Sequence, residues 1–470
     1  MADTSTVTDL TKVLVAQFLK KNGYTTTLKH FLTESFLPRT ILDNNESDGL
    51  IYEDLESIIS DRVQYNEYMI HEKLQTLSIN NDKNKDEPES ITIKYAGILP
   101  SWDHNLKFSE INKGSILETL TINATFSENS QPILSTSNKQ LVIKDANLQT
   151  VKFVESPTKP KSIIKLCGSI PWKNLNYACG IDGSFYLLDS NFNSIEKAIF
   201  KLHSRLISHI QFFVNAENNI CYIATAGADN FVKLHTLSIF AVSSSENKYI
   251  INTIGEIKIL SMCLSLRLIQ NNEENKTTPL ILITRTDYTH LLCYSVDDIN
   301  VTKPSLELYY QIALNNTQFS THSFNIRDML VLPRKNGTNG YVALATSHIP
   351  FMRIIVVKLP KISSQEDIKS NQSSITGIST FYKQIIINMA TTIPQTSYSQ
   401  PILKSLSLQN GLVVGNDEGL YAVDLLKQDS WKLNTIYDNS IVKSMDINRD
   451  QDKLIIAYTD KSIHLYDINK

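Results

Sequence analysis

Seven times between Ile91 and Lys470 the chain repeats one short pattern: two strands rich in apolar residues, joined by a turn of Asn, Asp, Gly or Ser type. The copies are ILSTSNKQLVIKDA (133–146), YACGIDGSFYLLDS (177–190), IATAGADNFVKLHT (223–236), LITRTDYTHLLCYS (282–295), VALATSHIPFMRIIVVKL (342–359), LVVGNDEGLYAVDL (412–425) and LIIAYTDKSIHLYDI (454–468). The intervals lengthen in mid-chain, where ENKTTP (274–279) and SSQEDIKSNQSSITG (363–377) read as loop insertions. Seven is a common number of blades for a ring of such units. The spacing therefore predicts an all-β, seven-bladed propeller over residues 91–470. Its last hairpin runs almost to Lys470 and lacks an outer strand, which ITIKYAGIL (91–99) is expected to supply, closing the last blade and removing an exposed edge.

The first eighty residues have a different texture. Leu10, Leu14 and Phe18 recur at one-turn spacing, with Val15 and Leu19 widening the stripe, Thr8 placed to cap the start and Gly23 to stop the helix. A second short helix over about 25–35 carries Leu28, Phe31 and Leu32 on one face, and Pro38 limits its continuation. At roughly three turns or fewer each, both lie below the ~12–15 residues at which isolated helices become even marginal in water, so their apolar faces need a partner. A third amphipathic helix over about 52–77 presents Leu55, Ile58, Ile59, Val63, Ile70, Leu74 and Leu77. The segment NNDKNKDEPES (80–90) is polar and reads as a tether. The expected organisation is a helical hairpin over 1–38, an amphipathic helix over 39–79 extending it, a linker over 80–90, and the propeller.

The residues Leu14, Val15, Phe18, Leu19, Gly23, Tyr24, Thr27, Phe31 and Glu34 resemble the LisH motif, with Leu28 in place of its usual alanine. That resemblance implies a small all-α dimerisation module, in which Leu14, Val15, Phe18, Leu19, Tyr24, Leu28 and Phe31 serve self-association as a dimer or tetramer. Leu55, Ile58, Ile59, Val63, Gln64, Tyr65, Glu67 and Ile70 resemble the segment that follows LisH in transducin-β-like corepressor subunits. By that resemblance Leu55, Ile59, Val63, Tyr65 and Ile70 are candidates for binding a helical segment of a partner. The β region is similar to WD40 proteins in outline only, because the customary Trp-Asp strand ending is Leu188-Asp189, Val423-Asp424 and Tyr466-Asp467 at best, and Trp102, Trp172 and Trp431 stand elsewhere. The WD40 resemblance marks Asp182, Asp229, Asp417 and Asp460 as turn aspartates of a fold-supporting network, with His203 or His209 as histidine partner.

No sequence constellation demands an enzyme. There is no phosphate-binding Gly-rich loop, no GxSxG and no HExxH, and the ten histidines are scattered. Five widely spaced cysteines without a CxxC pair read as reduced core thiols, no metal or other cofactor is expected, and carboxylate pairs such as Asp417-Glu418 and Asp297-Asp298 read as turn chemistry. A net charge of −3 gives no general attraction to nucleic acid or membranes, and Lys159 with Lys161 makes too small a basic cluster for one. With no apolar signal-peptide core in residues 1–12, an intracellular place in nucleus or cytoplasm is expected. The resulting expectation is a non-catalytic oligomeric scaffold in a multisubunit protein complex. A nuclear corepressor or chromatin complex fits the third-helix resemblance; a ubiquitin-ligase assembly or a microtubule-motor regulator is the alternative.

Overall fold

The computed structural model describes residues 4–37, 55, 56, 59, 95, 98–102, 107–110, 115–156, 162–215, 219–241, 247–271, 277–296, 304–314, 324–332, 340–362, 378–407, 411–433 and 440–469. The N-terminal helices and the sheets form separate compact units. Helix α1 spans Thr4–Lys21 and α2 spans Thr25–Glu34. Because α1 begins ahead of Thr8, that residue lies inside the helix and does not cap it. Gly23 takes φ +75°, a left-handed turn that costs glycine nothing. It lets the Tyr24 N–H reach the Leu19 carbonyl at 2.9 Å and the Gly23 N–H reach that of Lys20 at 3.2 Å. Val13, Leu14, Ala16 and Leu32 are buried.

The propeller has seven sheets. From the channel outward, blade one is Thr121–Phe126, Pro132–Thr136, Gln140–Lys144 and Thr150–Glu155, and blade two is Ile164–Ser169, Asn176–Gly180, Ser184–Leu188 and Ser194–Lys201. Blade three is Ile207–Asn215, Ile220–Gly227, Phe231–Ala241 and Asn247–Lys258. Blade four is Cys263–Ile269, Leu280–Arg285, His290–Val296 and Leu306–Ala313, with Thr380–Phe381 added in parallel outside it. Blade five is Ile326–Val331, Tyr341–Thr346, Phe351–Lys358 and Ile385–Pro394, and blade six is Ile402–Ser407, Gly411–Asn416, Gly419–Asp424 and Asp429–Lys432. Blade seven opens with Val442–Ile447, Lys453–Tyr458 and Ser462–Asn469. The seven sequence hairpins are the second and third strands of these blades.

Those middle strands read as continuous apolar runs because each is covered on both faces by neighbouring blades. In blade one, Ile133, Leu141 and Ile143 pack toward blade two, while Leu134 and Val142 pack toward blade seven. Every one of the seven blade interfaces holds such a buried cluster, including that between blades seven and one, so the ring is closed. Outer strands alternate in burial, as in Thr150–Glu155.

The closing strand differs from expectation. Lys107–Glu110, not residues 91–99, pairs antiparallel with Ser462–Asn469, in a register from Lys107 opposite Asn469 to Glu110 opposite Tyr466, and Ser115–Ile116 extends the pairing. Within 91–99, Tyr95 has helical backbone and Ile98 lies in a turn. The apolar side chains Leu99, Tyr95 and Ile98 belong to the core between blades five and six. Burying them there removes their apolar surface from water. The chain between these two places is stitched to blade six. The Trp102 N–H and Ser101 hydroxyl donate to one oxygen of the buried Asp424 carboxylate at 2.9 and 3.0 Å, and the Trp102 ring meets Trp431 edge-on at 5.4 Å. Gly411 sits beneath, at φ +73°, where a Cβ would lie 2.9 Å from the indole.

Candidate functional site

The inner strands of six blades bulge at the same place, between Thr121 and Asn123, Ile164 and Leu166, Ile207 and His209, Cys263 and Ser265, Ile326 and Asp328, and Val442 and Ser444. A bulge leaves one residue out of the ladder and re-aims the next. The next residue repeatedly reaches the neighbouring blade. Asn123 accepts the Cys167 N–H at 3.2 Å, Ser265 accepts the Met329 N–H at 3.2 Å, Asp328 accepts the Leu403 N–H at 2.9 Å, and Ser444 accepts the Ala124 N–H at 2.9 Å. Each such bond contributes about 1 kcal/mol, and the last ties blade seven to blade one.

These strands enclose a channel of about 1100 Å³ lined by all seven blades. Six cationic side chains, Lys165, Arg267, Arg327, Lys404, Lys443 and Arg449, face it with four carboxylates, Glu128, Asp328, Asp417 and Asp446. Three ion pairs account for part of this set: Arg267–Asp328 at 3.2 Å, Lys404–Asp446 at 2.6 Å and Arg449–Glu128 at 3.1 Å. Arg327 spends its terminal nitrogens on the Ser399 and Ser397 carbonyls at 3.0 and 2.5 Å, while its Nε has no acceptor. His209 also lines the channel, with burial first and the Arg267 charge second lowering its pKa to about 4.

Blade three carries a buried polar chain. His203 Nδ1 contacts Asp229 Oδ1 at 2.9 Å and its Nε2 contacts Thr225 Oγ1 at 2.8 Å; Thr225 in turn contacts His235 Nε2 at 3.2 Å, and His235 Nδ1 contacts Thr253 at 3.0 Å. Burial lowers the pKa of both imidazoles, that of His235 to about 3, so both are neutral near pH 7. One proton arrangement satisfies every member: His203 donates to the carboxylate and accepts from Thr225, and His235 donates to Thr225 and accepts from Thr253. The chain links the loop before blade three to three of its strands.

The family description "UCP007778, beta-propeller domain" matches residues 77–467, and "UCP007778, LisH domain" matches residues 9–40. The chain belongs to this family. A relative in Saccharomyces cerevisiae, "Uncharacterized protein YGR117C", is 36% identical over 493 residues, spanning 100% of this chain and 99% of its own length. The LisH resemblance, read from Leu14 to Glu34, thus falls within the matched family segment.

Of the residues assigned to self-association, Leu14 is buried within the helical unit. Val15, Phe18, Leu19, Leu28 and Phe31 are half-buried, and Tyr24 is exposed with its ring 6.4 Å from that of Phe18. Among the third-helix candidates, Leu55 is half-buried and Ile59 exposed, and the neighbouring Glu56 pairs with Lys21 at 2.6 Å. Val63, Tyr65 and Ile70 lie outside the described residues, as do Lys159, Lys161, Asp297 and Asp298.

The turn aspartates Asp182, Asp229 and Asp460 hold their own turns, and Asp417 holds the loop into blade six. Asp182 accepts from the Ser184 hydroxyl at 2.7 Å and Asp460 from that of Ser462 at 2.6 Å; Asp417 accepts from Ser399. Burial raises the carboxyl pKa of Asp182, Asp229 and Asp460, but hydrogen bonds outweigh it and leave each below its ordinary value. Of the two histidines, His203 is the aspartate's partner. The sequence reading passed over His235, although His235-Thr236 ends its hairpin where Leu188-Asp189 ends that of blade two; laying the seven hairpins over one another exposes it.

All five cysteines are buried free thiols. Burial pushes Cys167, Cys221, Cys263 and Cys293 up to about 12 and Cys179 well above its ordinary value, so none supplies a thiolate near pH 7. Among the described residues no helix is long and apolar enough to cross a membrane, and no group of His, Cys, Asp or Glu could hold a metal ion.

Proposed function

We propose that the protein is a non-catalytic, self-associating scaffold, in which the helical arm joins copies of the chain and each propeller presents a surface to other proteins. The observation that carries this reading is the apolar face left on α1 and α2. In a single chain Phe18, Leu19, Leu28 and Phe31 are only half-buried and Tyr24 is exposed; α1, at 18 residues, is longer than the three turns expected from the sequence, but α2, at 10, is too short to be stable alone. A second copy of the same face would complete their burial, at about 25 cal/mol for each Å² removed from water. Joining propellers in this way raises binding to a multivalent partner through effective concentration. The buried thiols and the histidines tied into structural contacts support the absence of catalysis.

The setting we propose is intracellular, and within it a nuclear corepressor or chromatin complex. This rests on the resemblance of Leu55, Ile59, Val63, Tyr65 and Ile70 to the corepressor-subunit segment. Light scattering after size exclusion tests the arm: the wild-type chain should run as a dimer or tetramer, and Phe18→Asp/Phe31→Asp as a monomer with its propeller folded. A monomeric wild type at micromolar concentration refutes self-association. Affinity purification of both forms with mass spectrometry tests the setting: deacetylase-type partners support it, and RING subunits or motor proteins would replace it.

A further inference from the structure

Antiparallel pairing puts two sets of connections at one end of the ring: the turns between second and third strands, and the loops leading into the inner strands. Large apolar side chains gather there. Leu260 and Met262 lie in the loop into blade four, Ile349 and Phe351 at the central turn of blade five, Tyr398 in the loop into blade six and Ile441 in the loop into blade seven. All are exposed, Leu260 by 84% and Tyr398 by 88%. Scattered exposed apolar residues need no explanation, but six on the loops of one face do.

The same end carries positive charge that no ion pair among the described residues takes up. The bulge residues Lys165, Arg327 and Lys443 open into the channel where the inner strands begin, at equivalent positions of blades two, five and seven. The other bulge residues, Ile122, Ser208 and Leu264, are uncharged. Among the described residues neither Lys165 nor Lys443 has an ion-pair or hydrogen-bond partner, although four carboxylates line the same channel. Burial, and then the nearby Lys443 charge, hold the Lys165 ammonium below its ordinary pKa. Arg327 keeps an unsatisfied Nε in the same wall. The carboxylates of Asp182, Asp229, Asp417 and Asp460 at this end are already engaged by their own turns, by Ser399 or by His203, and Asp417 also lies near Arg327.

We infer that this mouth is a docking site for an acidic peptide segment of a partner protein, whose carboxylates enter between Lys165, Lys443 and Arg327 while adjacent bulky apolar side chains lie on Tyr398, Ile441 and the outer apolar residues. The inference deepens the scaffold reading by naming the chemistry of the partner. An extended strand across the channel mouth fits both halves of the surface: a free anion would use the lysines alone, and a purely apolar partner would leave them buried without counter-charge.

The test is selection of displayed short random-sequence peptides on the immobilised full-length protein, run beside Lys165→Glu/Lys443→Glu and the control Lys248→Glu, on the outer edge of blade three. Wild type and the control should enrich Asp and Glu beside aromatic or aliphatic residues. The double variant should lose those peptides, with affinity for a selected wild-type binder down by about tenfold or more. Selection without acidic enrichment overturns the inference, as does an unchanged set on a folded double variant. Competition by inorganic phosphate as strong as by the peptide would make this a small-anion site and also overturn it. Phe18→Asp/Phe31→Asp separates the two readings: as a monomer it should select the same acidic peptides, so a failure of self-association appears in the mass and a failure of the mouth in the peptides.

Discussion

Acidification to about pH 5 should destabilise the propeller through histidines buried without room for a proton. His235 and His290 are 1% and 6% exposed, and burial lowers their pKa values to about 3 and about 4. Both are depressed below the roughly 6.5 of an unfolded histidine, so the unfolded chain takes up protons that the folded one refuses. The stability they support is complete above about pH 6.5 and falls as pH drops toward the folded values. At about pH 5 the gap is about 1.5 pH units, or about 2 kcal/mol for each residue and about 4 kcal/mol together. His203, His209 and His348 shift in the same direction and add to the loss. The depressed carboxylates, Asp182, Asp229 and Asp460, act only below the ordinary carboxylate range, so this window isolates the histidines. Against a domain stability of about 5–15 kcal/mol the loss is large. Denaturant unfolding at about pH 7.5 and about pH 5, followed by tryptophan fluorescence, reads it as a lower midpoint. His290 stacks on Tyr288 at 4.8 Å and its Nδ1 has no partner, so His290→Phe should keep the packing and reduce the drop by about 2 kcal/mol. An unchanged wild-type midpoint between the two pH values would refute the reasoning.

Gly183 sits at φ +86° where a Cβ would collide with the carbonyls of Arg205 and His203, so Gly183→Ala should cost about 3 kcal/mol in denaturant unfolding. Asp424→Ala should cost about 3 kcal/mol and shift the tryptophan emission, because it frees Ser101 and the Trp102 N–H from their buried acceptor. Ser444→Ala, which leaves the Ala124 N–H without its acceptor across the ring closure, should lower stability by about 1–2 kcal/mol without changing the far-ultraviolet spectrum. Gly227→Ala would press on both His203 and Asp229, and proton NMR should show loss of the protected imidazole N–H signal of His203.

How much was legible in the sequence follows from where each segment lies. The second and third strands of every blade are covered on both faces, so their apolar character is written into consecutive residues, and all seven hairpins could be read. The hairpin of α1 and α2 was legible for a related reason: its apolar spacing, Gly23 and the residues from Leu14 to Glu34 are local. Inner strands were harder, since one face meets the channel and tolerates Lys165, Arg327 or Lys443 as readily as Ile122.

The sequence by itself determined the number of blades, the change from helical to β period and the apolar faces of the arm, because these depend on contacts between residues near one another in the chain. Only the tertiary structure decided which strand closes the ring, because burial between blades five and six claims Leu99 and leaves the edge of the last blade to Lys107–Glu110. It alone decided that His235 completes the polar chain of blade three. It alone brought Lys165 beside Lys443 at one mouth, because ring closure sets residues far apart in the chain next to each other, and no local pattern records which charges will meet.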